Sequence, residues 1–220
     1  MCGRYTLSQA PKKGVTIVRP SGGDAPVAPR YNIAPTQFSA VIPQHDSKRI
    51  HMYQWGLIPH WAKDRSWASK TINARAETLT TKASFRDAIH IGRCLVLADG
   101  FYEWKKEGKH KQPYWIHLKS REVFAFAGIS SVWRDEEGKQ LYTYSIITIP
   151  ANSFMQPLHH RMPVILKRQD ARKWLQQDQA LKEALNLLQP YPDDEMNAYP
   201  VSRMVNQARN EHPSLIRPHV

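Results

Sequence analysis

Runs of β-branched and aromatic residues recur between residues 38 and 149, and runs of this composition predict strands. The expected strands are Phe38–Ile42, Ile50–Trp55, Cys94–Ala98, Pro113–Leu118, Val123–Ile129 and Leu141–Ile149, with Glu107-Gly108-Lys109 as a hairpin turn between two such runs. Two stretches have a helical period instead. Over residues 81–91, Phe85, Ala88 and Ile89 share a face and Gly92 offers a stop. A second helix is expected from Asp170, carrying Trp174, Leu181, Leu185 and Leu188 in a core-facing stripe until Pro190 ends it. Residues 8–30 contain Pro11, Lys12-Lys13-Gly14, Pro20-Ser21-Gly22-Gly23, Pro26 and Pro29, which break regular elements and predict a surface excursion. From Pro190 onward the chain is punctuated by prolines and is expected to wrap the body in extended form.

Strands with occasional helices predict an α+β fold: a single compact domain over 1–220, mainly antiparallel sheet curled toward a barrel or sandwich, with a few peripheral helices. The pattern does not assign a strand order. No apolar run approaches the roughly 20 residues of a bilayer span, and no secretory signal pattern opens the chain, so a soluble cytoplasmic protein without a membrane partner is expected. Two cysteines, Cys2 and Cys94, argue against a disulfide framework. Cys94 lies in an apolar run and reads as core. A formal charge of +12 points to a polyanion, nucleic acid rather than membrane, against the competing reading of a solvated basic surface. The basic residues recur through the chain, so only a folded surface can gather them.

Four residues could carry chemistry. Cys2 follows Met1, so removal of one residue would leave an α-amine and a thiol on the same residue. Such a pair condenses with an aldehyde to a Schiff base and then a thiazolidine. Taken alone, Cys2 reads as an arbitrary small residue. In Thr71-Ile72-Asn73-Ala74-Arg75-Ala76-Glu77, Asn73 can donate and accept at once, and Arg75 would share its face on extended chain; the competing reading is a turn asparagine beside a surface arginine. Glu103, between the aromatics of Phe101-Tyr102-Glu103-Trp104, is placed to have a raised pKa, or else to pair with Lys105 or Lys106 at an exposed edge. In His159-His160-Arg161-Met162-Pro163 at most one of the adjacent histidines enters a common site, and a loop histidine can be idle. With neither cysteine in a Cys-x-x-Cys pair and no His-Glu-x-x-His, no zinc site is expected, nor is any Walker loop or dinucleotide fingerprint present, so no cofactor is expected.

Taken together, Met1-Cys2-Gly3-Arg4, Tyr31-Asn32-Ile33-Ala34-Pro35, Trp55-Gly56-Leu57-Ile58-Pro59, Ile72 to Glu77, Phe101 to Trp104, His159 to Pro163 and Pro200-Val201-Ser202 resemble the SRAP family of abasic-site-processing proteins associated with the SOS response. The resemblance spans nearly the whole chain, with the motifs in the family's order. It implies a monomeric domain that binds single-stranded DNA containing abasic sites and captures the ring-opened aldehyde, in a bacterium in association with the nucleoid. It further implies that Cys2, as residue one after methionine removal, forms the thiazolidine, that Asn73 orients the reacting groups, and that Glu103 transfers protons around the Schiff base. His159 would act in sugar ring opening and crosslink reversal. Arg4, Arg75 and Arg161 would hold phosphates, and Pro35 and Trp61 would wedge or stack beside the lesion. The glycine- and proline-rich stretch 11–30 departs from the helical segment common in the family. Autopeptidase and lyase activity are implied as well. The alternatives are an N-terminal-nucleophile cysteine peptidase using Cys2, His159 and Asn73, and a non-covalent single-strand-binding module.

Overall fold

The computed structural model describes residues 2–9, 16–18 and 27–219, with residues 16–18 described in backbone alone. Its strands in chain order are β1 (Arg4–Leu7), β2 (Thr16–Val18), β3 (Arg30–Ile33), β4 (Phe38–Pro43), β5 (Arg49–Trp55), β6 (Asn73–Arg75) and β7 (Arg93–Ala98). There follow β8 (Gly100–Glu107), β9 (His110–Leu118), β10 (Phe124–Arg134), β11 (Gln140–Pro150), β12 (Arg161–Pro163), β13 (Ile165–Leu166) and β14 (Met196–Pro200). The helices are α1 (Arg86–Ile91), α2 (Arg168–Trp174) and α3 (Leu181–Asn186). No helix among the described residues is long and apolar enough to cross a membrane.

Five strands close a barrel. β11 pairs with β10, β10 with β7, β7 with β4 and β4 with β5, all antiparallel, and β5 returns to β11 in parallel through Gln54 opposite Thr143 and Trp55 opposite Tyr144. Closure removes the exposed edges an open sheet would carry. β6 and β12 extend from β11, β13 from β10 and β2 from β5. The second sheet is antiparallel, in the order β14-β9-β8-β1-β3.

The two units meet through alternating side chains. Tyr5 of β1 packs edge-on against Trp55 at 5.1 Å and Phe126 at 5.9 Å, and its hydroxyl shares a 2.5 Å hydrogen bond with Tyr144. On β8, Phe101 joins this main core, while Tyr102 enters a second cluster with Trp115, Val201, Val205 and Leu215. Both faces of β8 are therefore covered, and Glu103 shares the face of Phe101 by the period of two.

All six expected strands are present, each longer by one or more residues. The expected hairpin is a two-residue connection: Glu107 pairs with His110, and Gly108 takes a φ of +59°. The first expected helix is only its last turns, α1, capped at Gly92. The second is interrupted into α2 and α3. The buried Arg93 guanidinium donates to the carbonyls of Trp174 (2.8 Å) and Gln176 (2.5 Å), terminating α2 by occupying acceptors that a continuing helix would use. The tail is less extended than expected. β14 adds an edge strand beside β9, between 3₁₀ turns at Asp193–Glu195, Arg203–Asn206 and Pro213–Ile216. Of the expected excursion at 8–30, residues 10–15 and 19–26 lie outside the described residues, and Thr16–Val18 forms a strand the pattern did not predict.

The chain crosses from barrel to second sheet between β7 and β8, at Asp99-Gly100. Any Cβ on Gly100 would lie 2.4 Å from Trp115 Nε1, so glycine is required there. The Asp99 side chain, 2% exposed, accepts from Thr6 Oγ1 (2.5 Å), Ser8 N (2.6 Å), Ser8 Oγ (2.6 Å) and Gln9 N (2.9 Å). It thereby fixes the far end of β1, whose near end leads to Cys2.

Candidate active site

The register of β1 on β8 positions the start of the chain. Arg4 lies opposite Tyr102 and Tyr5 opposite Phe101, so one residue further back Gly3 comes opposite Glu103, with Cys2 next. Cys2 is fully buried, and its thiol lies 3.7 Å from the Arg4 carbonyl. Burial pushes the thiol pKa far up, and the nearby Glu103 charge pushes it in the same direction.

Asn73 reaches this point from the other unit. It opens β6, which pairs in parallel with β11 through Ile146, and its Nδ2 donates to the Cys2 carbonyl at 2.9 Å. Its Oδ1 is buried with no hydrogen-bond partner among the described residues. A buried acceptor without a donor is costly in a finished structure and is a common mark of a binding position. Arg75, two residues along, shares the Asn73 face and is exposed, while Ala74 between them is buried.

Glu103 is 3% exposed. Burial raises its carboxyl above the usual range, with the positive amino terminus opposing. His159 is half-buried, and its Nδ1 accepts from the Arg161 amide at 2.9 Å, which assigns the ring proton to Nε2. Burial and the positive amino terminus lower its pKa. His160 is exposed and stacks on His159 with centroids 4.3 Å apart, so of the two only His159 turns inward. Asn73 and Glu103 thus converge on Cys2, and Glu103 and His159 both feel the charge of the amino terminus.

The residues expected to touch DNA divide into two groups. Arg75 and Trp61 offer free surface; Trp61 is 45% exposed and packs edge-on against Trp67 at 5.2 Å. Pro35 is half-buried in the turn Ala34–Gln37, where Thr36 adopts a φ of +68°. Arg4 and Arg161 are engaged within the protein. Arg4 donates to Asn32 Oδ1 (2.9 Å) and the Val205 carbonyl (2.8 Å). Arg161 is 8% exposed, with bonds to both Glu77 carboxylate oxygens (2.7 and 3.0 Å) and to the Thr148 carbonyl (2.6 Å).

Three supporting residues carried no assigned role in the sequence reading. Asp99 anchors β1, Glu77 fixes Arg161, and the buried Asn32 donates to the carbonyls of Val205, Gln207 and Asn210. The signal for Asn32 was present: a polar residue sits in the short strand run Arg30–Ile33, where burial demands partners. Among the described residues, no group of three or more His, Cys, Asp and Glu side chains is placed to hold a metal ion.

The sequence model of the SRAP family, described as SOS response associated peptidase, matches residues 1–208. The abasic site processing protein YoqW of Bacillus subtilis is 43% identical over 227 residues, covering all of both chains. The abasic site processing protein YedK of Escherichia coli is 32% identical, covering 99% of this chain and 100% of its own. Among solved structures, a protein from Bacteroides thetaiotaomicron superposes with a TM-score of 0.79 at 32% identity, over 86% of this chain and 85% of that one. A phage-related protein from Bordetella bronchiseptica gives 0.72 at 31% identity, over 92% and 95%. Whole-length identity above 40% to a named relative, and motifs that meet in one place in the fold, lead to one conclusion: this chain belongs to the SRAP family.

Proposed function

We propose that this protein processes abasic sites in single-stranded DNA by covalent capture through Cys2 after removal of Met1. The observation that carries the reading is the hold on Cys2: Asn73 Nδ2 donates to its carbonyl at 2.9 Å, while the charge of Glu103 is felt at its thiol. The names of the relatives support the abasic-site role.

The chemistry follows from the protonation states. Neutral His159 takes the anomeric hydroxyl proton of the closed sugar as the bond to the ring oxygen breaks, and returns it to that oxygen, which leaves the open aldehyde and a sugar hydroxyl. The α-amine of Cys2 adds to that carbonyl, and Asn73, through its free Oδ1, orients the resulting carbinolamine. Glu103, whose affinity for a proton is raised by burial, gives its proton to the departing hydroxyl, so water leaves and an iminium remains. The Glu103 carboxylate then takes the thiol proton as sulfur adds to the iminium carbon, closing the thiazolidine. The proton lent by Glu103 returns to it, and the net change is the loss of one water. The raised thiol pKa fits this order, because the sulfur needs a base only at the moment of ring closure. The same iminium acidifies the neighbouring sugar carbon, so strand cleavage by β-elimination competes with ring closure.

The test is intact mass measurement of the Met1-processed protein mixed with a single-stranded oligonucleotide carrying one abasic site. The expected product has the two masses less one water, and an undamaged oligonucleotide gives none. Binding to both oligonucleotides alike without any covalent product would replace this reading with a non-covalent single-strand-binding module. Removal of a short leader fused before Cys2, by purified protein alone, would add a peptidase activity at the same residue.

A further inference from the structure

The strand that carries Glu103 does not end at the site. It continues for four residues into the β8–β9 hairpin, and residues 105–111 of that hairpin read Lys-Lys-Glu-Gly-Lys-His-Lys. Four ammonium groups and one carboxylate share this ribbon. Lys105 has a partial partner in Glu107 at 3.9 Å. Lys106, Lys109 and Lys111 have no carboxylate within 4 Å among the described residues, and all three are exposed.

The register makes the arrangement unusual. Lys106 and Lys111 are direct cross-strand partners on the same face of the ribbon. Like charges directly opposite each other destabilise an antiparallel pair, so folding alone does not favour two lysines here. The same face continues inward to Trp104, whose indole donates to Asn206 Oδ1 at 2.7 Å, while Lys105 stands on the face of Glu103. At about 3.4 Å per residue the turn at Gly108 lies about 17 Å along the strand from Glu103. A polyanion running along the outer part of the hairpin would meet Lys106 and Lys111 side by side on one face and Lys109 beside the turn, none of them neutralised by a carboxylate among the described residues.

We propose that the β8–β9 hairpin is a nucleic-acid backbone contact, with Lys106, Lys109 and Lys111 taking phosphates of the DNA strand that flanks the reacting nucleotide. This rests on the capture reading above and adds a second binding surface to it. Neutralisation by phosphates turns the opposed lysines from a cost in the free protein into a gain in the complex.

The test uses binding of an undamaged single-stranded oligonucleotide over a series of salt concentrations, for the full chain and for Lys106→Gln/Lys111→Gln. Each lost phosphate contact lowers the slope of log affinity against log salt by about 0.7 for a single strand, so the double variant should lose about 1.4. A charge-matched control, Lys173→Gln/Lys182→Gln on the exposed faces of α2 and α3, should leave the slope unchanged. An unchanged slope in the hairpin variant, or an equal loss in the control pair, overturns the proposal while leaving capture intact. Absence of any DNA binding by the wild-type chain overturns both.

Discussion

Asp99→Asn is the sharpest perturbation of the framework behind the site. The carboxylate receives four hydrogen bonds, three of them on Oδ2 from Ser8 N, Ser8 Oγ and Gln9 N. An asparagine that keeps its oxygen toward Thr6 turns an NH₂ group toward those three donors. The Ser8 hydroxyl can rotate, but the two backbone amides cannot, and at about 1–1.5 kcal/mol per bond the loss is about 2–3 kcal/mol. For a chain of this size each kcal/mol moves the melting temperature by about 2–4 °C, so a fall of about 5–10 °C is expected at the centre of that range. Differential scanning calorimetry measures it directly. Because Asp99 holds the end of β1 remote from Cys2, adduct formation at a temperature where the variant is folded should also slow. A melting temperature within about 2 °C of wild type would refute the reasoning, since that corresponds to less than one bond.

Further outcomes follow from the same geometry. Cys2→Ala with its α-amine intact should form no stable adduct and should cleave abasic strands more, because the iminium then has no ring-closing partner; a heat-stable adduct of unchanged yield, seen on a denaturing gel, would remove the thiol from the reaction. Arg161→Lys cannot keep both Glu77 bonds and the Thr148 bond, so it should lose about 2–3 kcal/mol in urea unfolding; unchanged stability with weakened DNA binding would identify Arg161 as a phosphate ligand instead. Glu103→Gln tests the raised carboxyl pKa. Stability contributed by the protonated form is complete below the ordinary value of about 4.3 and is lost as pH rises through the higher folded value, so the variant should gain on wild type as pH rises above about 4.3. A pH-independent difference in unfolding free energy would contradict the shift.

The barrel strand β7 was legible because it is buried at every position, and a continuous apolar run is visible without knowing its partners. β8 was not, because its inward residues are a phenylalanine and a glutamate and its outer face is aromatic, a pattern that resembles a polar loop until the second core cluster beneath Tyr102 is known. The break between α2 and α3 was hidden for a similar reason. The apolar stripe runs on at helical spacing, while the residue that ends α2, Arg93, lies more than 80 positions earlier in the chain. The four proposed reacting residues were each ambiguous as isolated residues, and it was the family resemblance that linked them. The engagement of Arg4 and Arg161 inside the protein was invisible, since an arginine's role depends on whether its planar fork meets a carboxylate or carbonyl at home or a phosphate outside.

Burial at the candidate site acts in one direction on three different groups. It raises the Cys2 thiol and the Glu103 carboxyl and lowers the His159 imidazole, so near neutrality each is biased toward its uncharged form. For the condensation of an amine with an aldehyde this combination is useful. A neutral imidazole can accept the sugar hydroxyl proton, a neutral carboxyl can protonate the departing hydroxyl, and a neutral thiol stays off the carbonyl until the iminium has formed. A pre-formed thiolate would add to the open aldehyde first and give a reversible hemithioacetal, while a carboxylate could not expel water. In the proposed reaction the order of steps would be set by desolvation, which comes from the barrel and the second sheet closing over residues 2, 73 and 103 at their junction. This is why Asp99 and Asn32, which touch none of the reacting atoms, belong to the argument about chemistry as much as to the argument about fold.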